Sequence, residues 1–178
     1  MNIFVVDKHP TLAANQMIDK HVVKMILESG QMLSTAHRVL DGEEWTDYSK
    51  NGRRIKRWRL SDEREGRLWK ASFVNHPCTR WVMESLSNYN WLACHAVSLA
   101  HEYTRRYERT HASELLMRYL VDNHPTNIVD KGLTKFAQAM PDEYKNEDAV
   151  TAYRAYYKGE KSRIAKWTKV SEPEWWTS

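Results

Sequence analysis

Long hydrophobic runs are missing from this 178-residue sequence; Ile3–Val6, Val22–Val23 and Met25–Leu27 are all short. None approaches the length needed to span a bilayer, so a membrane role is excluded. No basic segment followed by an apolar stretch opens the chain, and a cytoplasmic protein is expected. Cysteine is scarce too. Cys78 and Cys94 are not part of a Cys-x-x-Cys pair, and on one helix they would lie about 24 Å apart, too far to bridge. Buried free thiols in a reducing compartment are the expectation. The 8 histidines lack any compact spacing such as His-x-x-x-His, which removes the usual signature of a metal centre. No metal and no cofactor are expected.

What is present suits one packed domain over residues 1–178, since 42% of the residues are hydrophobic and a chain of this size buries about 70% of its unfolded surface. The spacing is mainly helical. Ile18, Val22, Met25, Ile26, Leu33, Ala36 and Leu40 recur every three or four positions and predict a helix over about 11–40, with Gly30 a weak point. Pro77 opens a second long stretch reaching about Arg109, with Trp81, Leu86, Tyr89, Leu92, Ala96 and Leu99 on its apolar face. Ser61 is read as a further helix start, and a shorter helix follows at Ala112–Leu120. Asp148–Tyr157 and Glu160–Lys169 read as two short helices separated by Gly159. Ile3–Val6 is an edge strand or a merely extended amino terminus. Between the long helices, Asn51-Gly52 predicts a two-residue turn in a hairpin over 45–59. Residues 123–146 are irregular, punctuated by Pro125, Gly132 and Pro141. The expected fold is a mainly α single domain around two long helices, with a small basic β-hairpin inserted.

The net charge is only +4, but it is clustered. Lys50 to Arg59 holds six basic residues and no acid, and Arg154 to Lys169 holds six against Glu160 alone. Such clustering marks a polyanion-binding surface. The 8 tryptophans, with Trp58 and Trp167 among these cations and Tyr153, Tyr156 and Tyr157 around Arg154, suit stacking on unpaired bases. At least half of these rings should instead fill the core. On a helical wheel His21, Lys24, Glu28, Gln31 and Thr35 fall within an arc of about 80° bordering the apolar stripe. A carboxylate there is either a partly desolvated proton-transfer group or half of an exposed Lys24–Glu28 pair.

Asp19-Lys20-His21-Val22-Val23 through Glu28 resembles the first long helix of the bacteriophage pyrimidine-dimer DNA glycosylases, the ultraviolet endonuclease V family. In that family an aspartate is followed by a histidine two residues on and a catalytic glutamate seven after that. Asn75-His76-Pro77 through Trp81 to Glu102-Tyr103-Thr104-Arg105-Arg106-Tyr107 is similar to the second long helix and its basic end. Tyr153–Lys158 is similar to the tyrosine-rich carboxy-terminal segment. The hairpin and residues 123–146 look like additions. The resemblance implies a DNA glycosylase with coupled abasic-site lyase activity acting through an imine. Glu28 would be its principal catalytic residue, His21 and Lys24 its companions, and the Met1 α-amine its nucleophile, with Lys24 and Lys20 as alternatives. Amines of that class titrate near 7.7–8, which leaves a nucleophilic fraction at neutral pH.

Leu27 and Gln31 stand where the family has arginines, so a damaged or modified base in DNA is the expected substrate class. Contacts to DNA are expected from Lys20, Gln31 and Arg38 on the first helix and from Arg53, Arg54, Lys56 and Arg57 on the hairpin. The second helix would add His76, Arg80, Arg105 and Arg106, and the carboxy-terminal segment Arg154, Tyr156, Tyr157, Lys158 and Lys161. Two other readings remain open: a non-catalytic nucleic-acid-binding module on the same scaffold and, less favoured, a metal-dependent nuclease.

Overall fold

The apolar stripe of the first long helix is buried along one side of α2, Asp19–Asp41, where Val22, Ile26 and Leu33 have no exposed surface. The computed structural model describes residues 1–177. Before α2 lies α1, Pro10–Asn15, and after it a hairpin of β1, Glu43–Tyr48, and β2, Arg54–Arg59. A one-turn helix α3, Arg64–Arg67, leads to α4, Pro77–Glu84, and α5, Leu86–Tyr107. Then come α6, Glu114–Asp122, α7, Ala149–Lys161, and a short α8, Glu174–Thr177. Among the described residues the two antiparallel strands are the only sheet, so the fold is mainly α. α2 packs on α5, and Val22, Met25, Ile26, Leu33, Leu92, Ala96 and Leu99 on these two helices are all at most 2% exposed.

Both expected long helices are broken, for identifiable reasons. Between α1 and α2 the Arg106 guanidinium takes the place of helix hydrogen bonds. It donates to the carbonyls of Asn15 and Met17 and to Asp19 Oδ1, at 2.9–3.0 Å. Between α4 and α5, Ser85 is extended and its Oγ donates to Asp130 and to the Gly132 carbonyl. Gly159 does not end a helix, because α7 runs through it. A Cβ there would collide with the Tyr144 hydroxyl, so the glycine makes room for Tyr144 to pack across α7. Gly30 acts similarly by letting the Trp69 ring and Met117 close on α2.

The hairpin loop is longer than a two-residue turn. Gly52 has φ +73°, Gly52 N–H donates to Ser49 O, and Ser49 N–H donates to Arg53 O, the pattern of a three-residue loop with a left-handed glycine. Ile3–Val6 forms no strand; it is a buried, extended segment threaded through the core. Residues 123–146 are irregular but tied down, with Asn88 bonding Thr134 in both directions and Asp130 accepting from Ser85 and Ser87. Cys78 is buried as expected. Cys94 is not; it lies exposed on α5.

Candidate active site

The amino-terminal nitrogen and the Glu28 carboxylate, brought together by folding, form the centre of the candidate site. Met1 N lies 3.7 Å from Glu28 Oε2, and the Asn2 N–H donates to the same oxygen at 2.8 Å. Lys24, one turn earlier on α2, places Nζ 3.2 Å from Glu28 Oε1. The glutamate side chain is only 12% exposed and Lys24 is 66% exposed, so the carboxylate is recessed behind a solvated cation.

Asn2 positions this amine. Its Nδ2 donates to Ala139 O at 2.8 Å, and its Oδ1 accepts from Ile3 N–H and from the Tyr153 hydroxyl. The Met1 side chain is buried, and Thr79 Oγ1 donates to its sulfur at 3.5 Å. His76, at the start of α4, accepts from Cys78 N–H through Nδ1. Partial burial and then the nearby amine hold its imidazole below the ordinary value, while Glu28 pulls the other way. The α-amine and the Lys24 ammonium thus flank one carboxylate. Such an arrangement can keep an amine beside a proton acceptor and stabilise positive charge on a bound sugar.

His21 is not in this cluster. It is buried, stacked on Phe4 at 4.3 Å, with Nδ1 2.5 Å from the Tyr157 hydroxyl. Burial, helped by Lys161 and Lys24, lowers its pKa to about 3, so it is a neutral core residue beneath the amino terminus. Its partner in the motif, Asp19, is likewise occupied, accepting from Arg106 and from Thr168 N–H and Oγ1.

The residues expected to touch DNA divide by burial. Lys20, Arg53, Arg54, Lys56, Arg80, Arg105 and Lys158 are exposed, and Gln31, Arg57, His76, Arg154, Tyr156 and Lys161 are half-buried. Arg38, Arg106 and Tyr157 are buried and cannot meet a phosphate in this structure. Arg38 donates to the carbonyls of Trp58, Glu65, Leu68 and Trp69 and to the Glu65 carboxylate, using all five of its donors. Arg154 also works inward, donating to Val6 O at 2.9 Å and lying over Trp175. On the hairpin, Lys56 pairs with Glu44 and Arg57 with Asp47, so the acidic first strand neutralises the middle of the basic second. Of the rings expected among the cations, Trp167 is buried, with its indole N–H bonded to Gln16 O.

Sequence reasoning missed Asn2 and Thr79 as parts of the candidate site, and it read Tyr153 as a base-stacking ring, whereas the structure buries it against Asn2. Only the position of Asn2 next to the amine could have signalled it; the other two are brought in by tertiary packing. Among the described residues no three His, Cys, Asp or Glu side chains converge as metal ligands, and no helix is long and apolar enough to cross a membrane.

The family model described as pyrimidine dimer DNA glycosylase matches residues 1–115. That span holds Met1, Glu28, Lys24 and His76, whereas Ala139 and Tyr153, which anchor Asn2, lie beyond it. No curated protein and no solved structure matches the chain.

Proposed function

Because the chain belongs to the pyrimidine dimer DNA glycosylase family, we propose that it excises a damaged or modified base from DNA and then cleaves the abasic strand, with the Met1 α-amine as nucleophile and Glu28 as proton carrier. The observation that carries this reading is the 3.7 Å separation between Met1 N and Glu28 Oε2.

In the proposed sequence the neutral amine attacks C1′, the glycosidic bond breaks, and the base leaves with the bonding electrons and a proton. The amine loses its protons, one through Glu28, and the sugar ring opens as O4′ takes a proton back. The resulting C1′=N imine acidifies the C2′ hydrogen. Its removal expels the 3′-phosphate by β-elimination, and water then releases the amine. Each step asks for a proton acceptor or donor within reach of C1′, which a recessed carboxylate beside the amine supplies. At neutral pH roughly a tenth of α-amines are unprotonated, against less than a thousandth of lysine side chains. That ratio favours Met1 over Lys24 and Lys20. The buried Met1 side chain supports retention of the initiator residue.

Borohydride trapping on a duplex carrying either a pyrimidine dimer or an abasic site tests this. The expected product is a covalent adduct mapping to Met1, on protein whose intact mass includes the methionine. An adduct on Lys24 or Lys20 would replace the nucleophile, and no adduct on any such substrate would favour the binding-module reading.

A further inference from the structure

Along the first half of α2 only one face meets solvent. Lys20, Val23, Lys24 and Leu27 are exposed and Gln31 is half-buried, whereas the residues from there to Arg38 are buried. Steps of four residues sort this face into two neighbouring rows. One is charged and runs from Lys20 through Lys24 to the recessed Glu28. The other carries no charge: Val23, 36% exposed, Leu27, 43% exposed, and then Gln31. Isolated apolar side chains are ordinary on any surface. This pair differs in its place. Leu27 directly precedes the glutamate that accepts from Asn2 N–H, and Lys24, which follows Val23, reaches the same carboxylate at 3.2 Å.

Chemistry at C1′ decides which part of a duplex such a face meets. Both glycosidic bonds of a base pair point toward its minor-groove edge, so an amine and a carboxylate acting on C1′ come from that groove. The minor groove is about 6 Å wide, too narrow for a helix but wide enough for one row of side chains. Val23 and Leu27 lie about 6 Å apart along the helix axis, close to two base-pair steps. Lys20 and Lys24, on the adjoining row, suit the phosphates of the groove wall. That leaves the uncharged row over the floor.

On the floor, A·T and T·A pairs present only acceptors, whereas a G·C pair adds the guanine 2-amino donor. The Gln31 amide can donate to the acceptors. The Leu27 side chain offers nothing to a 2-amino group, which would lose its water without gaining a partner.

We propose that Leu27, with Val23 beside it, reads the minor groove next to the target nucleotide and rejects flanking pairs that carry a 2-amino group. The inference rests on the glycosylase reading, which brings α2 to that groove, and deepens it by assigning a flanking-sequence preference to Leu27.

The experiment measures dissociation constants at fixed salt for duplexes carrying a tetrahydrofuran abasic analogue, which cannot form an imine. The pairs flanking the analogue are A·T, G·C, inosine·C or 2,6-diaminopurine·T. Inosine is guanine without the 2-amino group and diaminopurine is adenine with it, so the minor-groove edge changes while the major-groove edge does not. Inosine·C should bind like A·T, with G·C and diaminopurine·T weaker by at least about fivefold. Leu27→Asn supplies an acceptor for the amino group and should bring the four affinities together. Leu27→Met keeps the apolar contact and should keep the preference. Four equal affinities, affinities that ignore the amino group, or no binding to any duplex would overturn the inference. So would a preference that survives Leu27→Asn, since it would then come from duplex stiffness. Borohydride trapping on a natural abasic duplex is scored separately. Trapping without the preference removes this inference alone, whereas the preference without trapping removes the glycosylase chemistry and leaves the groove contact standing.

Discussion

The Asn2 N–H and the Glu28 carboxylate are joined by a 2.8 Å hydrogen bond across 26 residues of chain. The bond fixes the terminal amine next to a proton acceptor rather than leaving it frayed, as chain ends usually are. It also gives Glu28 a structural role beside the chemical one we propose, and one substitution separates the two. Glu28→Gln keeps an oxygen for Asn2 N–H but loses the charge. Single-turnover cleavage should fall by roughly 100-fold or more while DNA affinity holds. Stability should move by less than about 1 kcal/mol, the size of a screened pair such as Lys24–Glu28. Equal rates on a substrate that the wild type cleaves would remove Glu28 from the chemistry.

The hairpin gives a prediction sharper than its charge count. Lys56 and Arg57 already pair with Glu44 and Asp47, whereas Arg53 and Arg54 sit at the tip. Removing one cation that neutralises a duplex phosphate should flatten the log–log salt dependence by about 0.9. Neutralising Arg53 and Arg54 should therefore change the slope by roughly 1.8, and neutralising Lys56 and Arg57 as well should add little. A slope change near roughly 3.6 for the fourfold variant would mean that the acidic strand lets go of its partners on DNA. No change at all would take the hairpin out of the footprint.

The apolar stripes of α2 and α5 were legible in the sequence because helix packing rewards a local period, and the Gly52 turn was legible because its backbone needs a special residue. The motif from Asp19 to Glu28 led to the right helix and family. It did not tell which members face the site, because a histidine two turns from a glutamate can lie either beside it or under Phe4. Burial of Arg106 and Arg38, and the inward turn of the half-buried Arg154, were illegible for a related reason. A basic run looks the same whether its guanidinium groups meet water or backbone carbonyls such as those of Met17, Trp69 and Val6, and those carbonyls come from segments far away in sequence.

Arg105 and Arg106, adjacent in sequence, should behave oppositely. Arg106 is fully enclosed and paired with Asp19 and Glu102, while Arg105 shares Glu102 from an exposed position. Arg106→Ala leaves the largely buried Asp19 carboxylate without its cation and Glu102 with Arg105 alone, which should cost about 3–5 kcal/mol in denaturant unfolding. Arg105→Ala should cost less than about 1 kcal/mol. Equal, small losses together with weakened DNA binding would mean that Arg106 reaches the surface after all.

Acid should unfold the protein earlier than its carboxylates alone require. Burial lowers His21 to about 3 and His37 and His95 to about 4, all from an ordinary 6.5. The sign follows from which state binds protons. Between those values the unfolded chain is protonated at these positions and the folded one is not, so stability is intact above about 6.5, drains as pH falls, and levels off near 3–4. Each expelled proton is worth about 1.4 kcal/mol per pH unit. Carboxylates held below their ordinary values, such as Asp41 and Asp148, add their losses only under about pH 4. The limb between pH 6.5 and 4 therefore belongs to the histidines. Thermal melts should show Tm falling from pH 7 to pH 5, with a shallower fall in His21→Gln, which can still bond the Tyr157 hydroxyl. Parallel curves for the two proteins would mean that His21 titrates normally. Its imidazole would then be available for proton transfer, and the division between a core histidine and a reacting glutamate would have to be redrawn.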